Sequence, residues 1–245
     1  MKDTAFMEIW SLLAFGALVG MQHALEADHL AAVAALSARP SSRRSLMLRG
    51  AWWGAGHTIA LFAICGSVLL LGLTLGDGLQ ASLEFAVGIM VAGLGLNALW
   101  TIYRRRIHFH AHQHEDGKRH LHAHSHAAER NIDHAKSPHG HRHPRHGLVK
   151  ALTIGLVHGA AGSGALLVLL VAAANSAGMA LAYIACFGLG SIAGMAALSF
   201  VASFPLNAAA RSARWLHTAT LATIGLFAIA IGANIAMESW GAIGF

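Results

Sequence analysis

Long apolar stretches separated by short polar segments are the main pattern along this chain. Six stretches each reach the roughly 20 residues that a helix needs to span a bilayer, and they occupy residues 6–38, 51–75, 85–103, 148–174, 179–204 and 216–237. The four prolines fall between the stretches or at their ends, so we expect Pro205 to end the fifth helix. This pattern predicts an all-α, polytopic membrane protein with six transmembrane helices.

Composition supports this class of protein. Hydrophobic residues make up 56% of the chain and charged residues only 11%, whereas charged residues reach about 25% in soluble domains. The cysteines, Cys65 and Cys186, both lie inside apolar stretches, which excludes a disulfide scaffold. We expect one integral membrane domain, with helices 1–3 in residues 1–103 and helices 4–6 in residues 148–245, interrupted by a polar segment at 104–147.

The basic residues predict the orientation of these helices. Lys and Arg cluster after the first, third and fifth stretches, and the second and fourth connections contain none. Because Lys and Arg are retained on the cytoplasmic side, both termini are expected outside a bacterial plasma (inner) membrane. Residues 104–147 carry most of the net charge of +6, so the basic balance reflects this one segment and does not indicate nucleic-acid binding.

Glycine spacing predicts close contacts between helices. The pattern G-x-x-x-G lets two helix backbones approach each other in lipid, and it occurs at Gly16/Gly20, Gly50/Gly54, Gly72/Gly76, Gly155/Gly159 and Gly190/Gly194. A short likeness between residues 85–87 and 227–229, on helices of opposite direction, is also compatible with an inverted three-plus-three repeat.

Ionisable side chains are rare inside the six stretches, where they mark an ion or substrate pathway by default. The candidates are His23, Glu26, Asp28, His29, His57 and His158. A straight helix cannot aim the first four at one ion, so we expect either a local break or a role for Asp28 in fixing a ligating imidazole. For His217, ordinary packing as a neutral imidazole is the better interpretation.

Depth in the membrane is a second criterion for whether these side chains can share one site. Counted from the nearest basic residues at about 1.5 Å per residue, His29, His57 and His158 lie roughly 12–15 Å deep. His23 would lie at about 24 Å unless its helix bends. Several imidazoles with one or two carboxylates suit Ni, Co, Zn or Cu(II) better than Mg or Ca.

The segment His23-Ala-Leu-Glu-Ala-Asp-His29 resembles the His-x4-Asp-His hallmark of the nickel/cobalt transporter superfamily, including the additional carboxylate at Glu26. Gly56-His57-Thr58 is similar to a second motif of that superfamily. The glycine-rich segment that begins at His158 looks like that of the shorter NicO-type branch, which includes the urease-accessory permeases. The resemblance implies transport of Ni²⁺ or Co²⁺, although six helices differ from the eight of the larger permeases.

The polar segment is unusually rich in histidine, with thirteen of the eighteen histidines between positions 108 and 146. Such a segment cannot bury a core, so we expect it to be disordered without metal and to chelate divalent ions on the cytoplasmic side. The alternative is a solvated basic loop that contacts anionic lipid. The auxiliary metal ligands predicted here are His108, His110, His112, His114, His120, His122, His124, His126, His139, His141 and His143.

The leading functional prediction is a transporter of a divalent transition-metal ion, Ni²⁺ or Co²⁺. The alternatives are a zinc carrier and a membrane haem-binding redox protein with axial histidines. We find neither an ATP-binding G-x-x-x-x-G-K-[ST] motif nor His-Glu-x-x-His, so we expect no enzyme activity and no permanently bound cofactor. The expected partners are the lipid bilayer, the metal ion and cytoplasmic metallochaperones or metalloenzyme maturation proteins. Oligomeric state and transport direction stay open.

Overall fold

The computed structural model describes residues 2–37, 42–72, 76–104, 108–113, 119–124, 144–161, 176–211 and 214–243. These residues form seven helices and one hairpin of two strands. In chain order they are α1 (Lys2–His23), α2 (Ala27–Leu36), α3 (Arg43–Leu71), α4 (Asp77–Arg104), β1 (His108–Gln113), β2 (Arg119–His124), α5 (Pro144–Gly159), α6 (Ala177–Arg211) and α7 (Arg214–Trp240).

Four of these helices, α3, α4, α6 and α7, are long and apolar enough to cross a bilayer. The chain is therefore an integral membrane protein. The first predicted span is divided into α1 and α2, and the fourth is described only as α5, because residues 162–175 lie outside the described residues. The count of six spans and the inverted repeat stay predictions.

The expectation that Pro205 ends a helix is wrong. Helix α6 continues through Pro205 to Arg211. Proline is tolerated inside membrane helices because side-chain hydroxyls and small local adjustments can satisfy the backbone groups that it leaves without a partner. Ser203, two residues earlier, donates a hydrogen bond to the Phe200 carbonyl, whereas the carbonyl that loses its backbone partner at Pro205 is that of Val201.

The helices pack through glycine, as the spacing predicts for four of the five pairs. At each glycine of those pairs, a Cβ atom would collide with a neighbouring helix. The exception is Gly72/Gly76, where a Cβ would meet nothing within 4 Å. Gly72 instead adopts a φ of 63° and caps the end of α3, a left-handed conformation that favours glycine. Helices α4 and α7 pack together through two further glycine pairs, Gly88/Gly95 and Gly225/Gly232. The members of each pair are seven residues apart, so the pattern G-x-x-x-G did not identify them.

These contacts give the directions of the helices. One group contains the parallel helices α1 and α6 and, antiparallel to them, α3. Helix α5 joins this group by packing parallel to α3. Helices α4 and α7 form a second, antiparallel pair, and the short helix α2 contacts α4, α6 and α7. The arginine-bearing ends of the long helices, at Arg43, Arg104, Arg211 and Arg214, consequently lie at one end of the bundle. The side of the membrane that this end faces stays a prediction.

Part of the histidine-rich segment forms regular structure. Strands β1 and β2 pair antiparallel, with His108 opposite His124, His110 opposite His122 and His112 opposite His120. The register thus pairs six histidine positions across the hairpin. The hairpin differs from the expected lack of structure in this segment. Histidines at every second position match the two-residue period of a strand. Disorder in the remainder of 104–147 stays a prediction.

Candidate metal centre

The first membrane stretch is broken at the histidine motif. Helix α1 ends at His23, and residues 24–26 form a turn in which the Glu26 amide donates to the His23 carbonyl at 3.1 Å. Glu26 has an extended backbone, with φ −63° and ψ 151°, and precedes the first residue of α2. The break lets side chains on either side of the turn point toward one place, which a straight helix could not do.

His23 is brought to the depth of the other histidines by this break. Its Nε2 lies 3.1 Å from Nε2 of His57 on α3. Its Nδ1 lies 2.7 Å from Oε1 of Glu26, so the carboxylate that precedes α2 orients the imidazole that ends α1. Because the helix breaks after His23, the depth of about 24 Å that a straight helix would give this residue does not apply.

Asp28 holds two further imidazoles. Its Oδ1 lies 2.8 Å from Nδ1 of His29, and its Oδ2 lies 3.0 Å from Nε2 of His158. The His29 amide also donates to Oδ1 at 2.8 Å, which fixes the carboxylate against the backbone of α2. A carboxylate that accepts from an imidazole sets its tautomer and orientation. The break and the orienting role of Asp28, which the sequence offered as alternatives, occur together.

Helix α5 places His158 in the cluster through the glycine contacts of its last turn. A Cβ at Gly155 would collide with the Trp53 carbonyl, and one at Gly159 would collide with the His57 carbonyl. Only glycine at these positions allows α5 to approach α3 so closely. As a result, the ring of His158 lies 5.8 Å from that of His57 and 4.4 Å from that of His29.

All four imidazoles are buried, with exposed fractions of 6% for His23, 1% for His29, 0% for His57 and 2% for His158. Nε2 of His29 and Nδ1 of both His57 and His158 have no hydrogen-bond partner within the described part of the chain. Buried polar atoms in proteins are nearly always satisfied, by protein, water or a bound ion. Three such nitrogens in one cluster indicate a place where a ligand binds.

The donor atoms fall into two overlapping groups. In the first group, His23, His29 and His57 each offer a ring nitrogen. In the second, Asp28 offers a carboxylate oxygen, and His29 and His158 each offer a ring nitrogen. Within each group these atoms lie within 4.8 Å of one another. The 3.1 Å between the Nε2 atoms of His23 and His57 would subtend about 98° at an ion bound with metal–nitrogen bonds of about 2.05 Å. That angle lies between the octahedral and tetrahedral values. Imidazole and carboxylate donors suit divalent transition metals.

Glu26 and the other histidines of the described residues belong to neither donor group. Glu26 contacts His23 with a side chain that is 50% exposed. His217 belongs to neither donor group. Six auxiliary histidines, His108, His110, His112, His120, His122 and His124, lie on the hairpin. His114, His126, His139, His141 and His143 lie outside the described residues. Metal ligation by these histidines stays a prediction.

A cavity of about 270 Å³ adjoins the cluster. It is lined by His23, Glu26, Asp28, His29, Glu84, Val87, His158, Ala161, Ile235 and Glu238. Sequence reasoning did not select Glu84 and Glu238, which adjoin the ends of apolar stretches, as site residues. It also missed Trp53, a fully buried residue whose ring packs against those of His29 and His158. Its position four residues before His57, on the same helix face, was the available signal.

The fold and the cluster together define an integral membrane protein with a buried imidazole and carboxylate centre suited to a transition-metal ion. Among known proteins, the chain is similar to the urease accessory protein UreH of Bacillus sp. (strain TB-90). The two are 29% identical over 228 residues, which cover 92% of this chain and 90% of that protein. No protein-family profile and no solved structure matches the chain.

Proposed function

We propose that the protein transports a divalent transition-metal ion, with Ni²⁺ or Co²⁺ as the substrate, through the buried centre. The observation that carries this proposal is the convergence of His23, His29, His57 and His158 inside an apolar helical bundle. A histidine cluster of this kind is expensive in a membrane interior unless an ion uses it.

Two likenesses favour nickel or cobalt as the substrate. The His-x4-Asp-His motif resembles that of the nickel/cobalt transporter superfamily. The similarity to a protein named urease accessory protein extends over nearly the whole chain, and it supports a role linked to nickel. A supply of metal to metalloenzyme maturation is the role that both likenesses support, and it would bring the protein into contact with cytoplasmic metallochaperones.

The geometry favours a bare ion over haem. Two axial nitrogens on opposite faces of a haem iron lie about 4 Å apart, twice a metal–nitrogen bond length of about 2.0 Å. The Nε2 atoms of His23 and His57 are only 3.1 Å apart, which leaves no room for a macrocycle between them. A zinc carrier remains the second candidate, because tetrahedral zinc accepts the same donors.

The energy for transport would come from gradients. A membrane potential of 100 mV contributes about 2.3 kcal/mol per charge, and therefore about 4.6 kcal/mol for a dication that moves inward. With the arginine-bearing ends of the helices in the cytoplasm, the histidine-rich segment would lie where imported ions arrive or exported ions are collected. Weak chelation by its histidines would buffer the ion there.

The test is radioactive nickel flux into proteoliposomes of known orientation. His29→Ala and Asp28→Asn are each expected to lower the initial rate at least tenfold, since each removes a donor or the carboxylate that orients two donors. His217→Ala, which changes a histidine outside both donor groups, serves as the control and should keep most of the rate.

Wild-type rates in both variants would show that the proposed centre does not carry the ion. Zinc flux that exceeds nickel and cobalt flux under equal gradients would favour the zinc carrier. A Soret band in the purified protein would favour the haem alternative.

A further inference from the structure

The cavity beside the metal centre is unusually acidic. Of the seven Asp and Glu residues outside residues 104–147, four line it, namely Glu26, Asp28, Glu84 and Glu238. No Lys or Arg lines the cavity among the residues that the structure describes. In a bundle with so few charges, this concentration needs an explanation beyond the histidine cluster.

Glu84 and Glu238 reach the cavity from the pair α4 and α7. Glu84 lies seven residues from the start of α4 at Asp77, about 10 Å along the helix, and Glu238 lies in the last turn of α7. Both therefore lie toward the end of the bundle opposite the arginine-bearing ends. Gly88 packs closely against Gly232 and holds the two helices together on the side of the carboxylates that is nearer the arginine-bearing ends.

Each of these carboxylates is oriented by an amide one helical turn away. Gln80 Nε2 donates to Oε1 of Glu84 at 3.1 Å, and Asn234 Nδ2 donates to Oε1 of Glu238 at 2.8 Å. Neither Glu84 nor Glu238 forms a salt bridge with Lys or Arg in the described parts of the chain. No described cationic side chain therefore competes with a cation in the cavity for these two carboxylates.

The inner wall of the cavity carries donors without partners. His29, 1% exposed, lines the cavity and has an Nε2 atom with no hydrogen-bond partner among the described residues. His158, 2% exposed, lines it as well and has an unpartnered Nδ1. Asp28 and three of the four imidazoles, those of His23, His29 and His158, therefore line the cavity, and His57 does not.

We propose that Glu84 and Glu238, together with Glu26, form an outer site that binds the divalent ion while it is still hydrated. The ion then passes by Asp28 and His158 to the other three imidazoles of the histidine cluster. This inference rests on the proposed transport function and names a further binding site for it. The two sites differ in selectivity because their donor atoms differ. Carboxylates bind hydrated divalent cations with little discrimination, whereas imidazoles favour transition metals.

The first test uses charge removal at constant shape, in the variant Glu84→Gln with Glu238→Gln. Glutamine keeps a carbonyl that can accept from Gln80 and Asn234, so the helix contacts are preserved while two charges are lost. A charged cleft raises the local concentration of counter-ions by about tenfold or more, so we expect the KM for nickel flux to rise about tenfold, with Vmax changed less than twofold. Asp77→Asn, on the same end of α4 but outside the cavity lining, should leave the KM unchanged.

The second test does not depend on transport. Mn²⁺, which prefers oxygen donors, is titrated into purified protein and followed by its electron paramagnetic resonance signal. Wild type and His57→Ala are expected to bind it with similar affinity, and the double glutamine variant at least tenfold more weakly. Unchanged thermal unfolding of the double variant would show that the fold is intact.

The outcomes separate this proposal from the function on which it rests. If His29→Ala abolishes nickel flux but the double glutamine variant matches wild type in both KM and Mn²⁺ binding, the outer site is wrong and transport stands. If wild type carries no nickel yet binds Mn²⁺ through Glu84 and Glu238, the transport proposal fails and the outer cation site stands.

Discussion

Asp28 shows how one side chain organises several others. Its two oxygens are each occupied by a different imidazole, His29 at 2.8 Å and His158 at 3.0 Å. It lies in the first turn of α2, where the helix dipole favours a negative charge. Because the carboxylate sets which nitrogen of each imidazole carries a proton, it decides which nitrogens remain to bind an ion.

Replacing this carboxylate should weaken metal binding more than it weakens folding. In Asp28→Asn one acceptor becomes an NH₂ donor, so His29 and His158 can no longer both donate to residue 28. We expect the affinity of purified protein for nickel, measured by equilibrium dialysis, to fall between about tenfold and 100-fold. Asp77→Asn is the matched control. Wild-type affinity in Asp28→Asn would mean that the carboxylate does not orient the ligands.

The glycines of α5 decide whether two helices can share one site. Gly155 and Gly159 lie against the backbone of α3, and this close approach brings the rings of His57 and His158 to within 5.8 Å of each other. The local sequence also shows why α1 and α2 are separate elements, since Glu26 bonds to the His23 side chain and adopts an extended backbone where a helix would otherwise continue.

Alanine at Gly155 tests this contact. The added methyl group would collide with the Trp53 carbonyl, and overpacking of this kind typically costs about 1–3 kcal/mol. We expect a lower unfolding temperature in detergent together with weaker nickel binding. Gly93→Ala, on α4, is the control because its Cβ would meet nothing within 4 Å, so the variant should be as stable as wild type or more so. Equal stability of the two variants would contradict close packing at α5.

At the scale of the whole molecule, the metal centre lies where two helix groups meet. One group contains α1, α3, α5 and α6, the other contains α4 and α7, and α2 contacts members of both. The imidazoles come from the first group and from α2, whereas Glu84 and Glu238 come from the second. The cavity lies between the two sets of side chains, and in our proposal the ion crosses it from the carboxylates to the imidazoles.

The histidine-rich segment is expected to act on this path from outside. Helix α4 ends and α5 begins at the arginine-bearing end of the bundle, opposite Glu84 and Glu238. Deletion of residues 108–146 should therefore change the apparent affinity or regulation of nickel flux while some flux remains. Complete loss of flux in vesicles that contain folded protein would instead place the segment on the transport path.

Much of the fold was predictable because membrane helices obey local rules. Apolar length located α3, α4, α6 and α7, and glycine spacing located four close contacts. Pro205 was misjudged because a proline signals a helix end in water but can be accommodated in a membrane helix. The hairpin was missed because alternating histidines were interpreted by their polarity and not by their period.

The sequence by itself determined the class of protein and the types of ligand, because hydropathy and the rarity of ionisable groups in apolar stretches are local properties. It also identified His23, His29, His57 and His158 as candidates. Only the tertiary structure decided that these four imidazoles meet and that Glu84 and Glu238 share their cavity. The physical reason is that convergence depends on the break at residues 24–26 and on backbone contacts between helices distant in sequence, which no local pattern encodes.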